Sequence, residues 1–145
     1  MKLLISEVLQ KVHSAKTKAE KVKLLQNNNT NALRALLIAN FDESIVSLLP
    51  EGTVPYEKND APVGTEHTVL EQEYRKLYLF FKGGSSSLKQ SQRENLFIQM
   101  LEGLSEEEAE LLILVKDKAL NKKYRVTRAC VETAFPSIEW GNRAS

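Results

Sequence analysis

Hydrophobic residues recur at helical spacing along most of the chain. The pattern is clear near the start, where apolar side chains lie three and four positions apart at Leu4, Ile5, Val8, Leu9 and Val12. Comparable stripes occupy the regions around residues 17–26, 31–41, 67–82, 88–101, 105–120 and 127–134. The pattern predicts an all-α fold, a single compact domain of about six to seven helices.

Polar residues mark where several of these helices begin and end. Thr17, with Glu20 three residues later, fits a capping box. Ser105 precedes three glutamates, which favour the positive end of a helix dipole. Thr127 or Val126 opens the last helix, and Pro136 prevents it from continuing.

One long segment interrupts the helical pattern. Residues 50–66 contain three of the four prolines and two of the six glycines, which predicts a long Pro/Gly loop. Just before it, residues 42–49 fit either a short helix or an extended segment. We predict one helical domain at residues 1–136 and a C-terminal tail at 137–145, which docks through Ile138 and Trp140.

Composition narrows the class of protein. The 145 residues carry a net charge of +1 and a single cysteine, so an intrachain disulfide is impossible. The longest candidate apolar run, residues 111–115, is far below the roughly 18 residues that a membrane span requires. The sequence therefore predicts a cytoplasmic protein that has no membrane partner.

Catalytic and metal-binding signatures are weak. His13 and His67 lie far apart, and a lone Cys130 offers no paired thiolate spacing for a metal. Cys130 is expected in the core, where a thiol is inert. No glycine-rich loop opens a helix as a P-loop does. We predict no metal, no cofactor, no catalytic residue and no enzymatic activity.

Basic residues form two groups that hold eleven of the twenty lysines and arginines. The first group is Lys11, Lys16, Lys18, Lys21 and Lys23, and the second is Lys116, Lys118, Lys122, Lys123, Arg125 and Arg128. Acidic residues concentrate elsewhere. If both groups share a face, that face is suited to a phosphate backbone. The alternative is that these lysines only solvate exposed helix faces.

Residues 3–42 contain a basic helix ending in "KLL" and, after a polar break, "LRALL", and residues 111–136 run from "LLILVKDK" to "TRACVETAFP". Together these two segments resemble the N-terminal helical DNA-binding domain of T4-type phage ATP-dependent DNA ligases. Residues 3–42 share its layout: a short apolar helix, a polar break, a basic helix ending in "LL", and an "LRxLL" helix. Residues 111–136 are similar to its closing segment: a helix, a basic-acidic pair, a short turn and a hydroxyl-capped helix ending in Phe135-Pro136. The chain also resembles small proteins of T4-like and cyanobacterial phages for which we know no activity.

The resemblance implies a DNA-binding module without ligase activity, because the lysine motif for nucleotidyl transfer is absent. The related domains grip duplex DNA mainly through phosphates and the minor groove. The implied DNA contacts here are Lys16, Lys18, Lys21, Lys23, Lys122, Lys123, Arg125, Thr127 and Arg128. The family usually has Cys-Gly before the hydroxyl residue, whereas this chain has Tyr124-Arg125 in that region. A phage origin would place the protein in the cytoplasm of an infected host cell.

A protein-interaction module is the alternative function. Tyr56, in the Pro/Gly loop, and Trp140, in the tail, are apolar anchors within polar segments. In this hypothesis they dock on a host or phage protein.

Overall fold

The periodic apolar segments fold as α-helices in the computed structural model, which describes residues 4–52, 54–56, 68–82, 84 and 87–141. The seven α-helices of these residues are α1 (Ile5–Ser14), α2 (Lys18–Asn27), α3 (Asn31–Phe41), α4 (Leu70–Glu73), α5 (Gln90–Gly103), α6 (Glu106–Lys116) and α7 (Arg128–Ala134). Two 3-10 segments cover Tyr74–Phe80 and Leu120–Lys122. The predicted all-α, single-domain fold is confirmed.

Side-chain hydroxyls cap the helices that the sequence marked with threonine or serine. Oγ1 of Thr17 accepts a hydrogen bond of 3.2 Å from the Glu20 amide, and Oγ of Ser105 accepts one of 3.3 Å from Glu108. Thr127 caps α7 in the same way, through the amide of Cys130 at 3.2 Å. These bonds satisfy amides that have no partner inside the helix. They place the starts of α2, α6 and α7 at or within a residue or two of the predicted positions.

The core is centred on α6, which packs against α1, α3 and α5. Its side chains are the apolar stripes of the sequence, and the largest fully buried ones include Leu9, Leu36, Leu37, Leu111 and Tyr124. On one side of this core, α2 packs against both α1 and α7. The fold therefore brings the first basic helix next to the last helix, although about a hundred residues separate them in the sequence.

The chain departs from the predicted helix at residues 67–82. Regular α-helix covers only Leu70–Glu73 and tightens into the 3-10 segment Tyr74–Phe80. Phe81 is extended and pairs with Ser47 in an isolated antiparallel bridge, while the Phe80 carbonyl accepts the Leu48 amide at 2.9 Å. This pairing competes with helical hydrogen bonds. It resolves the open choice at residues 42–49 against a helix, because a turn at 43–44 is followed by extended pairing around Ser47.

The predicted Pro/Gly loop is described only in part, because residues 53 and 57–67 lie outside the described residues. Its beginning is fixed by Lys116, whose side chain is almost fully buried. The ammonium donates to the carbonyls of Pro50 (2.7 Å) and Gly52 (3.2 Å) and lies 2.5 Å from Asp117 Oδ1. Asp117 in turn accepts the Gly52 amide at 3.1 Å. Lys116 therefore stabilises the loop and is not a surface charge.

Lys118 also has a structural role. It ends α6 with a positive φ of 54°, and the amides of Lys118 and Ala119 donate back to Val115 and Leu114 in the Schellman pattern. Its ammonium donates to the carbonyls of Ala39 (3.1 Å) and Asp42 (2.6 Å), where α3 ends. A cation at a helix C-terminus is favourable, so Lys118 joins the ends of α3 and α6.

Candidate nucleic-acid interface

The two basic groups meet at the side chain of Lys21. Its ammonium donates 2.8 Å hydrogen bonds to the carbonyl of Val12, in the last turn of α1, and to the carbonyl of Arg125. The Arg125 amide donates to Nδ1 of His13 at 3.0 Å. These three bonds tie α1, α2 and the segment before α7 together. The structure thus brings the part of the first basic group around Lys21 next to the part of the second basic group around Arg125.

Five of the predicted DNA contacts are exposed and lack an ion pair with any part of the chain that the structure describes: Lys16, Lys18, Lys23, Lys122 and Arg125. The nearby carboxylate of Glu20 accepts the backbone amide of Lys16 at 3.1 Å, not its ammonium. Charged groups in this state are hydrated and available to an external anion. These five side chains form the exposed basic set of the candidate interface.

The other four predicted contacts already have partners within the protein. Lys21 has its two carbonyls, and the Thr127 hydroxyl oxygen caps α7. Lys123 forms a 3.0 Å ion pair with Glu110 and lies 5.6 Å from the Tyr124 ring centre. Arg128 pairs with Glu43 and Glu132. Their role in DNA binding stays a prediction, but each would have to exchange or share an existing bond.

A shallow groove of about 490 Å³ between α1 and α2 extends this surface. Lys11 and Lys23 line it together with Leu24 and Glu20. Lys11 belongs to the first basic group but was not among the predicted contacts. Its exposed position at the groove makes it a further cation beside the exposed basic set.

Comparison with known proteins gives a family. Residues 8–122 match the model of a family described as "Family of unknown function (DUF6433)". The chain belongs to this family. Neither a curated protein nor a solved structure matches it.

The DUF6433 match divides the candidate interface. It includes Lys16, Lys18, Lys23 and Lys122 and ends before Arg125 and α7. The family description assigns no activity or ligand. Nor do the described residues contain a helix that is long and apolar enough to cross a membrane. A search of the same residues found no group of three or more His, Cys, Asp or Glu side chains arranged to hold a metal ion.

Tyr56 and Trp140, the two anchors of the alternative hypothesis, contact the helical domain of this DUF6433 protein. Tyr56 and Trp140 are both half-buried and pack against the hydrophobic core. The Trp140 ring centre lies 4.6 Å from the Arg128 guanidinium. Both side chains thus have packing partners within the chain, as the docking predicted for Trp140 requires.

Cys130 lies in the core, as its place on the apolar side of α7 indicates. The structural roles of Lys21, Lys116 and Lys118 were not predicted. Spacing along the sequence does not indicate these roles, because each ammonium donates to a backbone carbonyl of a segment that is distant in sequence.

Tyr124, at the edge of the interface, predicts a pH effect on stability. Its ring is buried, and burial raises the pKa of its hydroxyl above the usual 10.0, an effect that the charge of Lys123 opposes. Above about pH 10 the unfolded chain loses this proton before the folded chain does, so the folded state loses stability as pH rises. Wild type should therefore lose more stability than Tyr124→Phe between about pH 9 and pH 11 in denaturant unfolding. Parallel losses in both proteins would contradict the prediction.

Proposed function

We propose that the chain is a non-catalytic DNA-binding module that contacts the phosphates of duplex DNA through the exposed basic set. The observation that carries the proposal is the hydrogen bond from Lys21 to the Arg125 carbonyl, because it joins two basic groups that are distant in sequence. Basic residues from two distant segments, brought together on a nearly neutral chain, support a charge distribution suited to a polyanion.

The residue types favour phosphate contacts over base reading. Four of the five exposed side chains are lysines, whose ammonium is a compact point charge. Such charges neutralise phosphates without reporting the sequence of the bases. We therefore propose binding with little sequence preference. The chain would position itself on a duplex, consistent with the resemblance to a ligase DNA-binding domain.

The alternative, a module that docks on a host or phage protein, has less support. Its anchors, Tyr56 and Trp140, are partly covered by the chain itself. Hot spots at protein interfaces need side chains that a partner can bury. The exposed basic set offers a larger group of available side chains than these two aromatics.

Binding to a labelled short duplex tests the proposal. Fluorescence anisotropy at about 50 mM salt should show saturable binding, which weakens steeply at about 200 mM as counterions compete for the phosphates. An unlabelled duplex of unrelated sequence should displace the label as well as one of identical sequence. Absence of saturable binding at about 50 mM salt would overturn the proposed function.

A further inference from the structure

The C-terminal tail folds back over Arg128 at the edge of the candidate interface. The Trp140 ring covers the guanidinium at 4.6 Å, within the range of a cation–π contact. One residue later, the Gly141 amide donates to both carboxylate oxygens of Asp42 at 3.2 Å. Gly141 has a φ of +86°, a conformation that other residues rarely adopt. The tail is thus held at two adjacent points.

Two carboxylates occupy the edges of the same guanidinium. Nη1 of Arg128 lies 2.7 Å from Glu43 Oε2, and Nε lies 2.8 Å from Glu132 Oε1. The Glu43 carboxylate accepts hydrogen bonds from its own backbone and from Arg128, and these lower its pKa and favour its charged form. The cluster of one cation and two anions has a net negative charge. In this arrangement Arg128 does not attract phosphate.

The tail also passes beside the Glu43 side of the cluster. A Cβ atom added at Gly141 would lie 3.5 Å from Glu43 Oε1, which shows that the glycine backbone passes close to this carboxylate. The neighbouring Asp42 is fully buried and also accepts hydrogen bonds from Ser44. The cluster therefore links three parts of the chain: the turn after α3, helix α7 and the tail.

We propose that residues 137–141 form an autoinhibitory clasp, which holds Arg128 against Glu43 and Trp140 and keeps it from phosphate. When the neighbouring Arg125 binds DNA, a phosphate of that DNA competes with Glu43 for the guanidinium of Arg128 and displaces Trp140. The exchange is feasible because the Arg128 side chain is 39% exposed and Glu43 66% exposed, and exposed ion pairs contribute little net free energy. This inference rests on the proposed function.

Two substitutions open the clasp from different sides. Glu43→Gln removes the carboxylate that neutralises Nη1, and Trp140→Ala removes the ring over the guanidinium. Glu43→Gln should raise the affinity for duplex DNA about five- to tenfold at about 50 mM salt, because Nη1 of Arg128 becomes available to a phosphate. Trp140→Ala leaves both ion pairs in place, so it should raise the affinity by a smaller factor. Glu51→Gln is the matched control for the change of charge, since Glu51 is exposed and lies outside the cluster. Tyr78→Ala is the control for loss of an aromatic ring, because Tyr78 is 55% exposed.

Trp140 supplies a second readout, because it is the only tryptophan of the chain. Addition of duplex to wild type should shift its emission to longer wavelength as the ring moves into water, whereas an unchanged spectrum at saturating duplex would overturn the clasp. If Trp140→Ala fails to fold by circular dichroism, Glu43→Gln carries the affinity test alone.

The outcomes separate the clasp from the proposed function. If wild type binds and Glu43→Gln binds no more tightly than Glu51→Gln, the clasp is overturned and the proposed function stands. If wild type does not bind and the opened variants do, the function proposed for the wild-type chain is overturned, and the gain in binding supports the clasp. If no variant binds, the proposed function fails, and the clasp fails with it.

Discussion

Replacement of Lys116 by methionine is expected to lower the free energy of unfolding by about 3 kcal/mol. The ammonium is buried and donates to two carbonyls and to Asp117, and methionine replaces none of these bonds. Two carbonyls of the 50–52 segment would lose their donor, and Asp117 would keep a charge without its partner. Equilibrium unfolding in denaturant measures the loss.

Lys122→Met is the matched control. It makes the same chemical change six positions along the chain, at a side chain that is exposed and has no ion pair with a described residue. Its free energy of unfolding should stay within about 0.5 kcal/mol of wild type. Equal stability of Lys116→Met and wild type would show that the loop does not depend on this ammonium.

A fourfold substitution of the exposed basic set should weaken DNA binding by at least about a hundredfold at about 50 mM salt. The variant carries glutamine at Lys18, Lys23, Lys122 and Arg125. In the proposed function each of these exposed side chains contacts a phosphate, and none has an ion pair with a described residue, so the substitutions remove the proposed contacts without breaking an ion pair of the described part of the chain. Thermal unfolding should change little, which separates lost binding from lost folding.

The control is a second fourfold variant with the same residue types: glutamine at Arg75, Lys76, Lys82 and Lys89. These four side chains are exposed and lie in the 75–89 region, far in sequence from both basic groups. The variant has the same net charge as the first. If both variants lose affinity equally, the effect comes from total charge, and the assignment of a particular surface is wrong.

The helices could be predicted from the sequence because their signals are local. Apolar spacing and the hydroxyl caps at Thr17, Ser105 and Thr127 lie within a few residues of the structure that they determine. The 3-10 segment was not predicted, because the bridge between Ser47 and Phe81 depends on two segments that are distant in sequence.

The division of the basic residues could not be predicted for the same reason. Lys21 and Lys23 lie two positions apart on one helix, yet Lys21 reaches the carbonyl of Arg125 and Lys23 is exposed. Likewise, Lys116 and Lys122 belong to one basic stretch, yet only Lys116 is buried. Each difference is set by tertiary packing, which spacing along the chain does not report. The sequence indicated where positive charge concentrates, and the fold determined which charges remain available.

The salt dependence of duplex binding tests the central claim most directly. The slope of log affinity against log salt concentration, measured between about 50 and 200 mM, reports how many phosphates the protein neutralises. The fourfold variant of the exposed basic set should have a slope shallower than wild type by about 3 to 4, close to one for each side chain removed. The control variant should keep the wild-type slope. Identical slopes for wild type and both variants would contradict the claim that these side chains contact DNA phosphates.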